Sequence, residues 1–284
     1  MKTVLFYFLV SAILSFDLSA QKFSEVEKEE IRKTFQIDSS EKTKRLVVAN
    51  LNGSISVTKS ETNTVELLAV RTNRAKTKSK MEDAKELVKL EIEEKENTIS
   101  ILVETPWNHN DGSMNYRGSE FYGFEVNFEF ELKVPDNMKL FLKTVNDGDI
   151  TVKQFSGEFY LENVNGAIEM TGISGSGSAT TVNGNVSVSF LKNPIDDCNF
   201  QTVNGEIETE FPTDFSGEIK LKTFNGEMFT DFDFKSIQQK MAAQTSKKHK
   251  KIYRKDDYNL IRIGDGGPQL TFETLNGDIR ILKN

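Results

Sequence analysis

Residues 180–188, TTVNGNVSV, contain the corner that decides the fold, because the same pattern returns along the chain. Val-Asn-Gly or a close variant recurs at Leu51–Gly53, Val164–Gly166, Val203–Gly205, Phe224–Gly226 and Leu275–Gly277, with a one-residue-longer version at Val145–Gly148. Self-similarity at a regular spacing is typical of repeat proteins. The chain is therefore predicted to be built from a repeated structural unit.

The glycines at 148, 157, 166, 175 and 184 follow one another at intervals of nine residues, with apolar or small residues two, four and seven positions after each. The first two positions describe a short strand with one buried face, whereas the third breaks the alternation, so the chain must bend between them. Asn-Gly and Ser-Gly corners alternate. The full unit is therefore 18 residues long, or 21 where residues are added around Pro194 and Pro212.

The corner glycines are predicted to have a structural role. Glycine readily adopts the positive φ of a tight corner, and we expect it to do so here. The predicted structural corners are Gly148, Gly157, Gly166, Gly184, Gly205, Gly226 and Gly277.

Two architectures fit this spacing. In an antiparallel meander the Asn-Gly pairs would be hairpin turns. In a β-solenoid each unit is one coil, and the stacked coils would form ladders of Asn and of Thr, the latter from Thr181, Thr202, Thr223 and Thr274. The broken alternation favours the solenoid. The predicted fold is all-β, a right-handed β-solenoid of coils of 18–21 residues with a strand-rich N-terminal cap and one short helix.

Residues 128–170, FEFELKVPDNMKLFLKTVNDGDITVKQFSGEFYLENVNGAIEM, carry a family resemblance. An alternating strand ends at Val134-Pro135, and Leu-x-Leu-x-x-Val and successive Gly-x-Ile-x-Val units follow. This pattern resembles the DUF4097 family, a group of proposed bacterial adhesins with β-strand repeats, over roughly residues 45–284. The resemblance implies the fold and supplies no catalytic residues. Here Asn-Gly replaces the Ser-Gly corners usual in that family.

The N-terminal residues indicate export. Residues 1–20 contain Lys2, an apolar run and small residues ending at Ala20, which is the layout of a signal peptide. Residues 21–135 are predicted to form the cap, and residues 136–284 the solenoid repeats with a basic insertion at 235–257. Within the cap, residues 22–45 are expected to begin as a flexible or weakly helical arm, and Lys78–Leu90 is expected to be the helix.

One candidate binding surface is the loop Thr105–Tyr122. Aromatic side chains among polar ones are typical of surfaces that stack against a sugar. The alternative is that the aromatics pack against the cap. The candidate residues are Trp107, Tyr116, Arg117 and Tyr122.

The other candidate surface is the basic insertion, in a chain whose net charge is −7. Its cations could contact anionic lipid or polysaccharide, or they could simply be solvated. The candidate residues are Lys247, Lys248, Lys250 and Lys251.

Catalytic motifs are missing from the sequence. It lacks Gly-x-Ser-x-Gly, His-Glu-x-x-His, a phosphate loop and Cys-x-x-Cys, and the one cysteine, Cys198, is expected to be a core residue. No enzyme activity, cofactor or metal is therefore predicted.

The predicted function is that of an exported, non-enzymatic binding or scaffold module of the bacterial envelope, in the periplasm or at the cell surface. It is predicted to be monomeric, to bind no nucleic acid, and to keep no transmembrane segment after signal cleavage. Its partner is unidentified, with a glycan or an envelope protein as candidates. The alternatives are a polysaccharide-active β-helix enzyme and a periplasmic partner of an envelope signalling system.

Overall fold

A computed structural model describes residues 23–37, 44–107, 119–136, 138–237, 243–245, 251–253 and 258–284. The predicted signal peptide lies outside these residues. The chain divides into two compact units, the first ending at Thr151 and the second beginning at Val152. Most described residues lie in strands, which confirms the all-β prediction.

The first unit contains long strands and two helices. They are β1 (Glu25–Gln36), β2 (Lys44–Ala49), β3 (Ile55–Lys59), β4 (Thr64–Ala75), α1 (Lys78–Leu87), β5 (Lys89–Lys95), β6 (Thr98–Glu104), α2 (Ser119–Tyr122), β7 (Phe124–Val134) and β8 (Met138–Lys143). β9 (Ile150–Lys153) spans the boundary between the units.

Two runs of paired strands make up the first unit. One has the order β1-β4-β7-β3 and the other β8-β2-β6-β5. β1 and β4 are antiparallel over their whole length, whereas β3 pairs in parallel with β7 and β2 pairs in parallel with β6 and β8. The expectation of a flexible or helical arm at residues 22–45 was wrong for β1. Its charges face solvent while Phe35 is buried, and β4 supplies the hydrogen-bonding partner that its sequence does not reveal.

Helix α1 ends three residues before the predicted end, because Lys89 already belongs to β5. Its N-cap is Thr77, whose side chain accepts a hydrogen bond from the backbone N–H of Lys80. The guanidinium of Arg71 donates to the carbonyl of Ala84 (3.0 Å) near the other end of the helix. Burial lowers the pKa of Arg71, although Glu29 and Glu27 oppose this shift. Arg71 therefore anchors α1 to β4.

The second unit is made of shorter strands. They are β10 (Phe159–Glu162), β11 (Ile168–Ile173), β12 (Gly177–Thr180), β13 (Val186–Phe190), β14 (Cys198–Gln201), β15 (Ile207–Phe211), β16 (Gly217–Asn225), β17 (Met228–Thr230), β18 (Phe234–Ser236), β19 (Ala243–Thr245), β20 (Lys251–Tyr253), β21 (Asn259–Ile263), β22 (Gln269–Asn276) and β23 (Ile279–Lys283).

Parallel pairing dominates this unit. One run has the order β10-β12-β14-β22-β16-β21-β18 and the other β11-β13-β15-β23-β17, while β19 and β20 form a separate hairpin. Among the described strands of this unit, the antiparallel pairs are those that β21 makes with β16 and β18, at the end of the first run, and the hairpin of β19 and β20. The parallel ladders exclude the meander for these strands, and the arrangement is β-helix-like. Val186 stands opposite Ile168 in one neighbour and Ile207 in the other, 18 and 21 positions away in sequence.

The last strands of the chain are stacked out of sequence order. β22 lies between β14 and β16, and β23 lies between β15 and β17. The final coil is therefore inserted between two coils that are consecutive in sequence.

Inward-facing apolar side chains of the two runs form the core of the second unit. Phe190 of β13 contacts Phe200 of β14 with ring centroids 6.3 Å apart, which joins the two sheets. Along each sheet the rings also stack from coil to coil, as in Phe190 on Phe211 (4.8 Å) and Phe200 on Phe272 (5.4 Å). Such stacking follows from in-register parallel pairing, which places equivalent side chains over one another.

Candidate functional site

The Asn-Gly corners of the second unit form a continuous ladder of side-chain amides. Asn183 donates to Asn165, Asn204 to Asn183, Asn276 to Asn204, and Asn225 to Asn276, each amide nitrogen lying 2.7–2.8 Å from the next oxygen. The first unit has one such step, from Asn146 to Asn52 at 3.2 Å. The predicted Asn ladder is therefore confirmed.

Threonine stabilises the same corner in a different way from the predicted ladder. Each Thr hydroxyl donates to the carbonyl of the glycine in the adjacent coil rather than to another threonine, as Thr202 does to Gly184 (2.8 Å). Thr181, Thr274 and Thr223 make the equivalent bond at 2.9–3.0 Å. These glycine residues are half-buried, and the threonine hydroxyls supply a hydrogen-bond donor to their carbonyl oxygens.

Close approach, not positive φ, explains most corner glycines. Of the predicted corners Gly148, Gly157, Gly166, Gly184, Gly205, Gly226 and Gly277, only Gly277 has a positive φ, so the predicted reason was wrong for the others. A Cβ on Gly184 would lie 2.1 Å from the carbonyl oxygen of Gly166, and one on Gly205 would lie 2.0 Å from that of Gly184. Adjacent coils pass so close at this corner that no side chain fits.

The apolar residue before each Asn faces outward. Val182, Val203, Leu275 and Phe224 follow one another along the stack and are 37%, 38%, 45% and 78% exposed. Phe155, which precedes the Ser-Gly corner at Gly157, is by contrast fully buried. The Asn-Gly corner thus presents an apolar column beside an amide column.

Trp107 does not lie on the surface. Its side chain is 5% exposed and packs against Tyr122, with ring centroids 4.6 Å apart, and against Phe124 at 6.4 Å. A sugar-stacking platform needs an exposed ring face, so the arrangement matches the alternative in which the aromatics pack against the cap. Tyr122 is half-buried in the same cluster.

The remaining predicted binding residues are mostly outside the described part of the chain. Tyr116, Arg117, Lys247, Lys248 and Lys250 all fall there. Lys251 is the first residue of β20, whose backbone pairs with β19. The predicted roles of these residues stay predictions.

A groove in the first unit is a candidate binding site among the described residues. It has a volume of about 1040 Å³ and lies on the outward side of β1, β4, β7 and β3. The hydrogen-bond register places its side chains in rows across the four strands. One row is Arg32, Leu68, Glu131 and Ser56, and the next is Thr34, Glu66, Lys133 and Thr58.

The polar groups of this groove are only partly paired with one another. Lys133 forms an ion pair with Glu66 (3.2 Å), and Arg32 with Glu30 (3.0 Å). Within the described residues, the side chains of Glu131 and Ser56 have no hydrogen-bond partner in the protein. Glu131 is exposed and Ser56 half-buried, so both can bond to a ligand.

Sequence reasoning missed the groove. The alternation of β7 does place Glu129, Glu131 and Lys133 on one face, and that of β3 places Ser56 and Thr58 on one face. The missing information was that β3 pairs with β7 although about 75 residues separate them, as the partners Ile55 and Phe130 show. An alternating charged strand beside an alternating hydroxyl strand would have been the signal.

Cys198 is a core residue, as predicted. Burial raises the pKa of its thiol to about 11, although bonds from the Gly177 backbone and the Ser176 side chain oppose the shift. A thiol with so high a pKa is almost wholly protonated at neutral pH and is therefore a poor nucleophile.

Within the residues that the structure describes, no group of three or more His, Cys, Asp or Glu side chains is arranged to hold a metal ion. No helix in this part of the chain has the length and apolar character needed to cross a bilayer.

The family model described as "Toastrack DUF4097" matches residues 143–281. This match confirms the resemblance to the DUF4097 family over residues 143–281. The search of curated proteins finds no match.

The solved structures that match this chain share little sequence with it. A "putative cell adhesion protein" from Clostridium sporogenes is 12% identical with a TM-score of 0.41, and the alignment covers 91% of this chain and 100% of that one. A "putative adhesin" from Bacteroides fragilis is 9% identical with a TM-score of 0.40, covering 90% and 97%. A "putative lipid binding protein" from Parabacteroides distasonis is 10% identical with a TM-score of 0.26, covering 89% and 96%.

Proposed function

We propose that this protein is an exported, non-enzymatic binding module of the bacterial cell envelope, and that the groove on β1, β4, β7 and β3 is its binding surface. The observation that carries the proposal is the preformed groove, whose walls are strands joined by continuous hydrogen-bonded ladders. Rigid strands hold the side chains in place before the ligand arrives, which lowers the entropic cost of binding.

The groove chemistry supports a glycan as the ligand. Hydroxyls of Ser56 and Thr58, the carboxylate of Glu131 and the guanidinium of Arg32 offer both donors and acceptors within one register. A polyhydroxylated ligand has donors and acceptors on the same atoms and can satisfy such a mixed surface. An envelope protein is the second partner class.

The proposal includes the organisation of the whole chain. Residues 1–20 are a cleaved signal peptide, residues 21–135 the cap, and residues 136–284 a right-handed solenoid with coils of 18–21 residues and a basic insertion at 235–257. The mature protein is a monomer in the periplasm or at the cell surface. These assignments rest on the sequence pattern.

The experiment is binding of the mature chain to a panel of bacterial glycans and envelope lipids. The test variant combines Glu131→Gln with Ser56→Ala, which removes one acceptor charge and one hydroxyl from the groove. We expect at least about a tenfold loss of affinity, the effect of losing one hydrogen bond to a charged group. Glu162→Gln, an exposed outward residue of β10, is the matched control and should bind as the parent chain does.

A further variant separates the groove from the basic insertion. It replaces residues 238–257 with a Gly-Ser linker, which spares β18 and β21. Binding that survives the groove variant but is lost without the insertion would contradict the groove and keep the binding function. Release of shortened glycans by the purified chain would overturn the non-enzymatic proposal.

A further inference from the structure

The six Asn-Gly pairs of the chain are chemically alike but differ in their hydrogen bonds. In five of them the glycine N–H donates to the backbone carbonyl of the corner Asn in an adjacent coil, at 2.9–3.0 Å. These glycines are Gly53, Gly166, Gly184, Gly205 and Gly277. The exception is Gly226, whose N–H meets no acceptor among the residues that the structure describes.

The side-chain oxygens of the six Asn residues also differ in whether they accept a hydrogen bond. The Oδ1 atoms of Asn52, Asn165, Asn183, Asn204 and Asn276 each accept a hydrogen bond from the next amide of a ladder. Asn225 donates to Asn276 at 2.8 Å, but within the described ranges its own Oδ1 accepts none.

The position of Asn225 in the stack is the reason for both differences. β16 and β17 form the last coil, and β17 pairs with β23 on one side only. No further Asn-Gly corner stacks on Asn225 within the described chain. Accordingly Gly226 is exposed, whereas the other five glycines are buried or half-buried.

We propose that Asn225-Gly226 is a selective site of spontaneous deamidation, and that the ladder protects the other five Asn-Gly pairs. In this reaction the backbone nitrogen of Gly226 attacks Cγ of Asn225 and forms an N–C bond. The Cγ–Nδ2 bond breaks, and Nδ2 leaves as ammonia with the proton of the glycine nitrogen. Water then opens the resulting five-membered imide at either carbonyl, which gives aspartate or isoaspartate.

Hydrogen bonding decides the rate, because the attacking nitrogen must lose its proton and turn toward Cγ. In the five ladder pairs that proton is held by a neighbouring carbonyl and the side chain is fixed at its oxygen. They can react only after the coil opens locally, which reduces their rate by the fraction of time spent open. Gly226 needs no such opening.

The product changes the last coil. Aspartate at position 225 has no amide hydrogens to donate to Asn276, and isoaspartate also lengthens the backbone by one atom. A backbone displacement has little room here, since even a Cβ on Gly226 would lie 1.9 Å from the carbonyl oxygen of Gly277. We therefore expect the pairing of β17 with β23 to loosen after the reaction.

The experiment follows all six sites in one sample. The folded chain is aged at mildly alkaline pH, and peptide mapping by mass spectrometry gives the conversion of each Asn with time. A parallel sample is aged in denaturant. In the folded chain Asn225 should convert at least about tenfold faster than each of the other five, whereas in denaturant all six should agree within about threefold.

The variant Asn225→Gln provides the matched control, because its longer side chain forms a six-membered ring much more slowly. It should keep the fold and lose only the fast site. Amide hydrogen exchange at Met228–Thr230 should accelerate in aged parent protein and not in aged Asn225→Gln. Parallel conversion of the six sites in the folded chain, or earlier conversion of another Asn, would overturn the proposal.

Discussion

The two sides of each coil in the second unit differ in how they respond to added residues. From Asn165 to Asn183 the repeat is 18 residues, and from Asn183 to Asn204 it is 21. The extra residues lie in the turn that contains Pro194, on the Ser-Gly side, and the long segment between β17 and β22 lies there too. The Asn-Gly corner keeps its length in every coil of this unit.

Hydrogen bonding explains this difference. At the Asn-Gly corner the Asn, Thr and Gly of one coil bond to the Asn and Gly of the adjacent coils. An extra residue in one coil would therefore break its bonds to both neighbouring coils. At the Ser-Gly side the side-chain bonds between segments differ from one place to the next: Ser176 accepts from the Asp196 backbone at 3.2 Å, whereas Ser216 donates to the Gly266 carbonyl at 2.7 Å. The ladder therefore fixes the register, and the opposite side can carry loops.

The largest loss of stability is expected when one alanine is inserted between Val203 and Asn204, because the insertion shifts the register of the Asn-Gly corner. It should cost about 4 kcal/mol or more, because Thr202 and Asn204 lose their partners together with the strand register. Urea unfolding of the variant measures the loss. The same insertion between Pro194 and Ile195 is the control and should cost less than about 0.6 kcal/mol. Equal costs would show that the corner does not set the register.

The substitution Gly184→Ala tests the close approach at the corner. A Cβ there lies 2.1 Å from the Gly166 carbonyl oxygen, a contact that only a backbone shift relieves, and we expect a loss of about 3 kcal/mol. In Gly217→Ala, on the Ser-Gly side, the nearest atom is the far end of the Phe215 ring at 2.9 Å. That variant should lose less stability in the same thermal or urea unfolding experiment, and a larger loss there would contradict the argument.

The substitution Thr202→Val isolates one hydrogen bond of the corner. It keeps the shape of the side chain and leaves the carbonyl of the half-buried Gly184 without its hydroxyl donor, which should cost about 1 kcal/mol. Thr180→Val, on the half-exposed outward face of β12, is the matched control and should change the free energy of unfolding by less than about 0.5 kcal/mol. A larger loss of stability in Thr180→Val than in Thr202→Val would show that the Thr202 hydroxyl does not stabilise the corner.

The reactivity of the Cys198 thiol measures how often the Ser-Gly side opens, because Cys198 begins β14 directly after the turn that contains Pro194. With a pKa of about 11, the folded thiol should resist a thiol reagent at neutral pH and react at once in denaturant. The pKa is raised above its unfolded value of about 8.5. The protonated thiol therefore contributes stability that is complete below pH 8.5 and declines toward about pH 11. Rapid labelling of the folded chain at pH 7 would show that this side opens frequently.

Local pattern was sufficient to predict elements outside the repeat as well. The alternating strand that ends at Val134 is β7, and the predicted helix at Lys78–Leu90 contains α1, whose Met81 and Ala84 are buried. The same reasoning failed for β1, where charges outnumber apolar residues and only pairing with β4 makes a strand favourable. It left open whether Trp107 stacks against a sugar or packs against the cap, because an aromatic residue in a polar segment has the same sequence signature whether its ring is buried or exposed.

Local sequence is enough to predict the corner, because Thr, Asn and Gly recur at fixed spacing with apolar residues at the next two alternate positions. The strand ladders then show that the coils pair in parallel, which the Asn-Gly spacing alone does not, since it also fits hairpin turns. Only the tertiary structure decided which coils are neighbours. Asn276 lies between Asn204 and Asn225, although Asn225 follows Asn204 in sequence. The physical reason is that every coil offers nearly the same ladder to the next one, so local residues cannot distinguish one stacking order from another. Long-range packing of the final coil, which contains β22 and β23, settles that order.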